Sequence, residues 1–182
     1  MEPLHLIIDG SDNLGKTTAL QLLSEHLKLP IIKMPNMQTY IKKGDVEKYS
    51  QLFSETIIQF KQYPFLMDRG FTSSLVYSKI FGRDYNFEYL YGIEEELNPL
   101  VVIFTGRHKN PMNEEVTYKS FCKDKIFNEE QKAQVDAEFC NLAGEKGYPL
   151  IEVFGKTPLT IMNEVIKKIE FIALQGSSQM KV

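Results

Sequence analysis

Five short apolar runs punctuate the chain. They are Leu4-His5-Leu6-Ile7-Ile8, Ile31-Ile32, Pro64-Phe65-Leu66-Met67, Leu100-Val101-Val102-Ile103-Phe104 and Leu150-Ile151-Glu152-Val153-Phe154. Each is too short for a helix and lacks the strict alternation of a half-exposed strand. They read as strands covered on both faces. Between them the spacing changes to that of helices. Ala19, Leu20, Leu22, Leu23 and Leu27 form one apolar stripe. Leu52, Phe53, Ile57 and Phe60 form another within a helix over about 45–62, with Asp45 as its N-cap. A helix is expected from Thr72 to Ile80. Residues 84–97 read as partly helical, with Glu94-Glu95-Glu96 as a solvated face. A long helix spans Asn128 to Lys146 and stops near Gly147. Thr157 caps the last helix, with Pro158 at its first position and Leu159, Met162, Val165, Ile166 and Ile169 on its apolar side.

Strand and helix thus alternate five times, with no internal repeat. That order predicts an α/β fold in three layers, a doubly wound five-stranded parallel sheet. One domain over residues 1–174 is expected, with a flexible tail at 175–182. Residues 106–126 are polar and basic, with Arg107, Lys109, Lys119, Lys123 and Lys125, and read as a mobile lid segment.

Composition narrows the class only a little. The 182 residues are 43% hydrophobic and 25% charged, as in an ordinary globular protein. A net charge of −3 gives no bulk attraction to nucleic acid or to an anionic membrane. Cys122 and Cys140 have neither metal-ligand spacing nor a disulfide framework, which suits a reducing cytoplasm. They read as a surface thiol and a helix-face residue. No signal-peptide pattern and no membrane-spanning run is seen.

The chemistry centres on Gly10-Ser11-Asp12-Asn13-Leu14-Gly15-Lys16-Thr17, between the first strand and the first helix. Two glycines five apart, followed by Lys and Thr, fit the spacing of a phosphate-binding loop. Gly10 and Gly15 permit backbone angles closed to other residues. The loop N–H groups can then turn inward as a nest for a di- or triphosphate. The helix that follows adds its positive end. Lys16 is placed to reach the terminal phosphates, and Thr17 to hold Mg²⁺. Asp68-Arg69-Gly70 closes the third strand. Arg69 there suits a bidentate hold on a phosphate. Asp68 suits either a water-mediated Mg²⁺ contact or a helix cap.

Asp9 to Thr18 resembles the phosphate loop of thymidylate kinases, with an acid before the first glycine and Asp12 three positions after that acid. Asp68-Arg69 with Ser73-Ser74-Leu75-Val76-Tyr77 resembles that family's Asp-Arg-Tyr signature and the segment following it. Lys33-Met34-Pro35-Asn36 and Leu52-Phe53-Ser54 are similar to two further segments of its eukaryotic-type branch. The matches run from the first strand to about Tyr77; beyond that the layout agrees more than the residues.

The resemblance implies a P-loop fold of the nucleoside and nucleotide kinase type, with ATP and Mg²⁺ as cofactors. It implies a small-molecule nucleotide as partner and, weakly, a homodimer. It assigns Gly10, Ser11, Asn13, Leu14, Gly15, Lys16, Thr17 and Thr18 to the donor phosphates. Gly155 and Lys156 fall in the segment flanking the donor adenine. Lys33, Phe53, Arg69, Ser73 and Tyr77 fall to the acceptor, with Phe53 stacking on its base. Asp12 contacts the acceptor sugar or the metal's water network. Thr17 and Asp68 are the metal's residues.

The chain also departs from the family. No Arg stands between Asp12 and Gly15, and such loops take their catalytic charge from the lid. Arg107 is the lid's single Arg and the first choice, with Lys109 and Lys119 behind it. Met37, Ile57 and Gly70 replace expected acceptor-site groups. The expected activity is phosphoryl transfer to a deoxynucleoside monophosphate, dTMP or dUMP first. A deoxynucleoside kinase, a kinase of 5-hydroxymethylated bases in DNA like some viral relatives, and a non-catalytic nucleotide switch remain as alternatives. A hydroxyl acceptor needs a carboxylate as base, and none stands in 33–36.

Overall fold

The structure, a computed structural model, describes residues 3–34, 37–82, 88–109, 116–119 and 127–179. Its centre is a parallel sheet of five strands in the order β2-β3-β1-β4-β7. These are β1 (His5–Gly10), β2 (Ile31–Lys33), β3 (Phe65–Asp68), β4 (Leu100–Thr105) and β7 (Leu150–Glu152). The helices are α1 (Lys16–Leu27), α2 (Met37–Ile41), α3 (Val46–Phe60), α4 (Phe71–Ile80), α5 (Glu88–Leu97), α6 (Glu129–Lys146) and α7 (Pro158–Gln179). The expected five-stranded doubly wound sheet is therefore present.

Strand alternation decides what each helix layer receives. Leu6 and Ile8 of β1, Leu66 of β3 and Val102 and Phe104 of β4 pack with Ala19, Leu20 and Leu23 of α1 and Ile161, Met162 and Val165 of α7. Ile7, Phe65, Met67, Val101 and Ile103 point the other way. They meet Tyr49, Phe53 and Ile57 of α3, Phe71 and Val76 of α4, and Val135 and Phe139 of α6. Each large apolar side chain buried this way contributes about 1.5–3 kcal/mol.

Several boundaries differ from the sequence reading. α2 was not expected. Asp45 does occupy the N-cap position of α3, but its side chain makes no capping bond. Its backbone is used instead: the carbonyl accepts from the Tyr49 amide at 3.2 Å and the amide donates to the Tyr40 carbonyl at 2.9 Å. Within 106–126 the described residues form β5 (Arg107–Lys109) and β6 (Val116–Tyr118), an antiparallel pair separate from the main sheet. Arg107 stands opposite Tyr118 in its register. α7 continues through Gln179, past the start assigned to the tail. α6 starts at Glu129 with Asn128 as its N-cap and ends at Gly147 as expected. Asn128 and Gln131 form a reciprocal capping box, and Gly147 ends the helix in the left-handed conformation.

Candidate active site

The sheet order places β1 centrally, with β3 on one side and β4 on the other. The strand order reverses around β1, and the crevice beyond its carboxyl end is where such sheets hold ligands. Gly10 ends β1 with φ +133°, and a Cβ there would lie 2.2 Å from the Phe104 carbonyl oxygen. Only glycine lets the chain leave β1 so close to β4. Gly15 (φ 73°) then opens α1 with no side-chain cap, which leaves the first-turn amides to the loop's concavity.

Lys16 folds back into this loop. It is 5% exposed, and its Nζ donates to the Ser11 carbonyl. Burial, then the charge of Arg69, pulls its pKa down to about 7, against Asp9, Asp12 and Asp68. One turn of chemistry away, Thr17 Oγ1 donates to Asp68 Oδ2 at 2.7 Å. Lys33 Nζ, largely exposed, stands 3.6 Å from the same oxygen. Alternation explains the meeting: Asp68 shares the face of Leu66, towards α1.

Arg69 follows with φ 67°, a left-handed conformation uncommon for a side chain of this size. Its guanidinium pairs with Asp12 and donates to Ser73 Oγ at 3.3 Å and Tyr77 Oη at 3.4 Å. Tyr77 Oη in turn donates to Asp12 Oδ2 at 3.3 Å. Ser73 and Tyr77 thus brace Arg69 and Asp12. Gly70 has no space for the tyrosine of the resembled signature. A Cβ at this position would approach Ile7 Cγ2 to 2.8 Å.

Asp9 has a role the sequence did not reveal. It is completely buried. Its carboxylate accepts from the amides of Gly10 (2.9 Å), Gly70 (3.1 Å) and Ser73 (2.9 Å), and from the hydroxyls of Thr72 and Ser73. It therefore caps α4 and ties that helix to the root of the phosphate loop. On alternation Asp9 lies on the Ile7 face, below α4.

Asp136 of α6 was missed as well. Also fully buried, it accepts from Ser11 Oγ at 3.3 Å, Thr105 Oγ1 at 2.8 Å and the Gly106 amide at 3.1 Å. Arg107 Nε lies 3.4 Å from its Oδ2. Burial pushes its pKa up, and these donors oppose the shift. The signal was available: Asp136 falls in phase with Val135, Phe139 and Ala143, the apolar stripe of its helix.

Other assignments need correction. Phe53 is 1% exposed and packs against Tyr49, Ile57 and the rest of the core beside the sheet. It has no free face for a base. The residues four apart on α3, Tyr49, Phe53 and Ile57, are its core stripe. The Leu14 side chain is likewise core, so only its backbone can face phosphate. Asn13 adopts φ 61°, as the loop's turn demands, and Thr18 is exposed on the first turn of α1. Gly155 (φ 75°) and Lys156 follow β7 at the same carboxyl end of the sheet as the loop, but Lys156 Nζ is held 2.8 Å from Glu164. Lys119 is exposed. Pro35, Asn36, Cys122, Lys123, Lys125 and the Lys109 side chain lie outside the described residues.

Among the described residues no group of three His, Cys, Asp or Glu side chains could hold a metal alone. The Thr17 hydroxyl and Asp68 carboxylate are hard oxygen donors that fit Mg²⁺, an ion that takes its remaining ligands from water and phosphate. No helix among the described residues is long and apolar enough to cross a membrane.

This fold and loop define a class, the doubly wound α/β proteins with a phosphate-loop motif after the first strand. No protein-family model matches the chain. A search of curated protein sequences returns no match. Solved structures do match. The YorR protein of Bacillus subtilis, in complex with phosphorylated GDP, superposes with a TM-score of 0.67 over 93% of this chain and 97% of that one, at 20% identity. Thymidylate kinase from Candida albicans gives 0.59 over 94% and 93%, at 18% identity. Deoxyadenosine kinase from M. mycoides gives 0.57 over 92% and 99%, also at 18% identity. At these identities the likeness is one of fold.

Proposed function

We propose that the protein transfers the terminal phosphoryl group of Mg-ATP to a nucleoside monophosphate. The observation that carries this reading is the convergence of Lys16, the Thr17–Asp68 pair and the braced Arg69 at the ends of neighbouring strands β1 and β3. Phosphate in the loop favours the charged form of Lys16, which burial disfavours. Thr17 and Asp68 are the residues for Mg²⁺, which when bound neutralises charge on the β- and γ-phosphates. Arg69 holds the acceptor phosphate and exchanges part of its bond with Asp12 for it. Arg107 is the candidate for charge on the transferring group.

A monophosphate acceptor is favoured because its oxygen is already ionised and needs no base. Among the described residues the carboxylates at the loop, Asp9, Asp12, Asp68 and Asp136, each have a donor or cation partner. Asp9 caps α4, Asp12 pairs with Arg69, and Asp68 bonds Thr17. A sugar or hydroxymethyl acceptor requires one of them to be free. With Phe53 in the core, pyrimidine preference rests on the likeness of the Asp68–Tyr77 segment to thymidylate kinases. dTMP and dUMP remain the first acceptors. Guanine nucleotides belong beside them, since YorR was solved with phosphorylated GDP; the deoxyadenosine kinase was solved with dCMP as a product, which keeps deoxynucleosides in the screen as rival acceptors.

The test is a transfer screen with Mg-ATP against all nucleoside and deoxynucleoside monophosphates, with thymidine and hydroxymethylated duplex DNA as controls. Diphosphate formation from at least one monophosphate, abolished by Lys16→Ala, is the expected result. Efficient phosphorylation of thymidine or DNA with every monophosphate inert overturns the acceptor assignment. ATP turnover independent of any acceptor favours a nucleotide switch.

A further inference from the structure

The two residues facing each other at the base of the β5–β6 pair, Arg107 and Tyr118, both end at one point. Arg107 Nε lies 3.4 Å from Asp136 Oδ2. Tyr118 Oη lies 3.5 Å from Ser11 Oγ, which itself donates to Asp136 Oδ1. The Gly106 amide bonds the same carboxylate, and the Gly106 carbonyl accepts from the Lys119 amide at 2.9 Å. Glycine is required there, because a Cβ would sit 2.2 Å from the Lys119 carbonyl oxygen. Thr105 Oγ1 donates to Asp136 and accepts from the Arg107 amide at 3.1 Å. A single buried carboxylate thus joins the phosphate loop, the end of β4 and the start of β5, and reaches β6 through Ser11 and Gly106.

Three hydrogen bonds and one ion pair divide between its oxygens. Oδ1 takes Ser11 and Gly106; Oδ2 takes Thr105 and Arg107. Arg107 is paired with the carboxylate through Nε, which leaves its terminal nitrogens as the part to be turned to phosphate. Among the described residues those terminal nitrogens have no hydrogen-bond partner. A buried carboxylate with one donor removed costs more than an exposed one, so this junction holds a defined geometry.

We infer that Asp136 is a positioning residue that fixes Arg107 and the lid root to the phosphate loop, so that Arg107 is aimed at the transferring group when the loop is filled. For turnover the inference rests on the kinase reading above; for lid order it does not. Asp136 touches no reacting atom and acts through Arg107.

Asp136→Asn is the informative variant. Whichever way its amide turns, one acceptor oxygen becomes a donor facing donors. Hydrogen–deuterium exchange of the ligand-free variant is expected to be at least ~10-fold faster over 105–109 and 116–119, with β1 and α1 unchanged. In transfer assays Asp136→Asn is expected to lower kcat by ~10-fold or more, with both KM values within about twofold. In an Arg107→Ala background the same change is expected to cost less than about twofold, because the residue it positions is gone. Should Asp136→Asn not fold, Thr105→Val removes one Oδ2 donor and carries the same expectations. Unchanged exchange, or an equal kcat loss in both backgrounds, overturns the inference. A wild-type protein inert with every acceptor defeats the kinase reading and leaves the exchange result to judge the junction.

Discussion

Thr17 and Asp68 are 51 residues apart in the chain, yet their side chains share a 2.7 Å hydrogen bond at the mouth of the phosphate loop. β1 and β3 are parallel neighbours with Ile8 opposite Asp68, so the strand end and the start of α1 come together. If the pair serves Mg²⁺, Asp68→Asn removes the charge while keeping an acceptor for Thr17. The Mg²⁺ concentration for half-maximal transfer is expected to rise by about tenfold or more, since metal-site changes of this kind typically cost 10–100-fold. An unchanged Mg²⁺ titration with normal turnover would show that Asp68 only anchors Thr17.

Lys16 makes binding depend on protons. Its pKa is about 7 in the folded chain and 10.5 by its ordinary value. Between those values the unfolded chain carries the extra proton, so the ligand-free fold gains stability as pH rises through that window. Phosphates in the loop favour the charged form and raise the folded pKa. Mg-ATP binding at pH 8.5 is therefore expected to take up a substantial fraction of a proton. Calorimetry in two buffers of different ionisation enthalpy measures this. Lys16→Met should abolish the uptake; equal heats for the wild type in both buffers would contradict the assignment.

Arg69 combines strain with charge. Its φ of 67° costs a non-glycine residue about 1–2 kcal/mol. Arg69→Gly relieves that strain and Arg69→Ala does not. Both remove the pairing with Asp12. The glycine variant is expected to be more stable than the alanine variant by about 1 kcal/mol in urea denaturation, while both raise the acceptor KM alike. Equal KM for wild type and both variants would remove Arg69 from the acceptor site.

Asp9 is a matter of stability rather than chemistry. Asp9→Ala strands the amides of Gly10, Gly70 and Ser73 and the hydroxyls of Thr72 and Ser73. An unsatisfied buried group costs about 1–3 kcal/mol, and here several are left together. A loss of at least ~3 kcal/mol is expected, with Asp9→Asn intermediate because one acceptor survives. A loss below ~1 kcal/mol would mean the cap is dispensable.

The sequence alone determined the sheet, because fully covered strands must be continuously apolar and their crossover helices must carry stripes. It also determined the phosphate loop, because Gly10 and Gly15 answer to local backbone geometry that no distant residue supplies. Alternation along β1 and β3 even set which face Asp9 and Asp68 would take. What each of them would meet there was beyond it. Asp9 under α4, Thr17 with Asp68 and Asp136 between Ser11 and Arg107 join residues 29 to 125 positions apart. Such pairings follow from which strands neighbour β1 and how α4 and α6 dock, not from any local pattern. The same packing moved Phe53 from acceptor to core. A Phe on an apolar stripe carries no mark of whether a ligand or the sheet will cover it, and only the docking of α3 decided for the sheet.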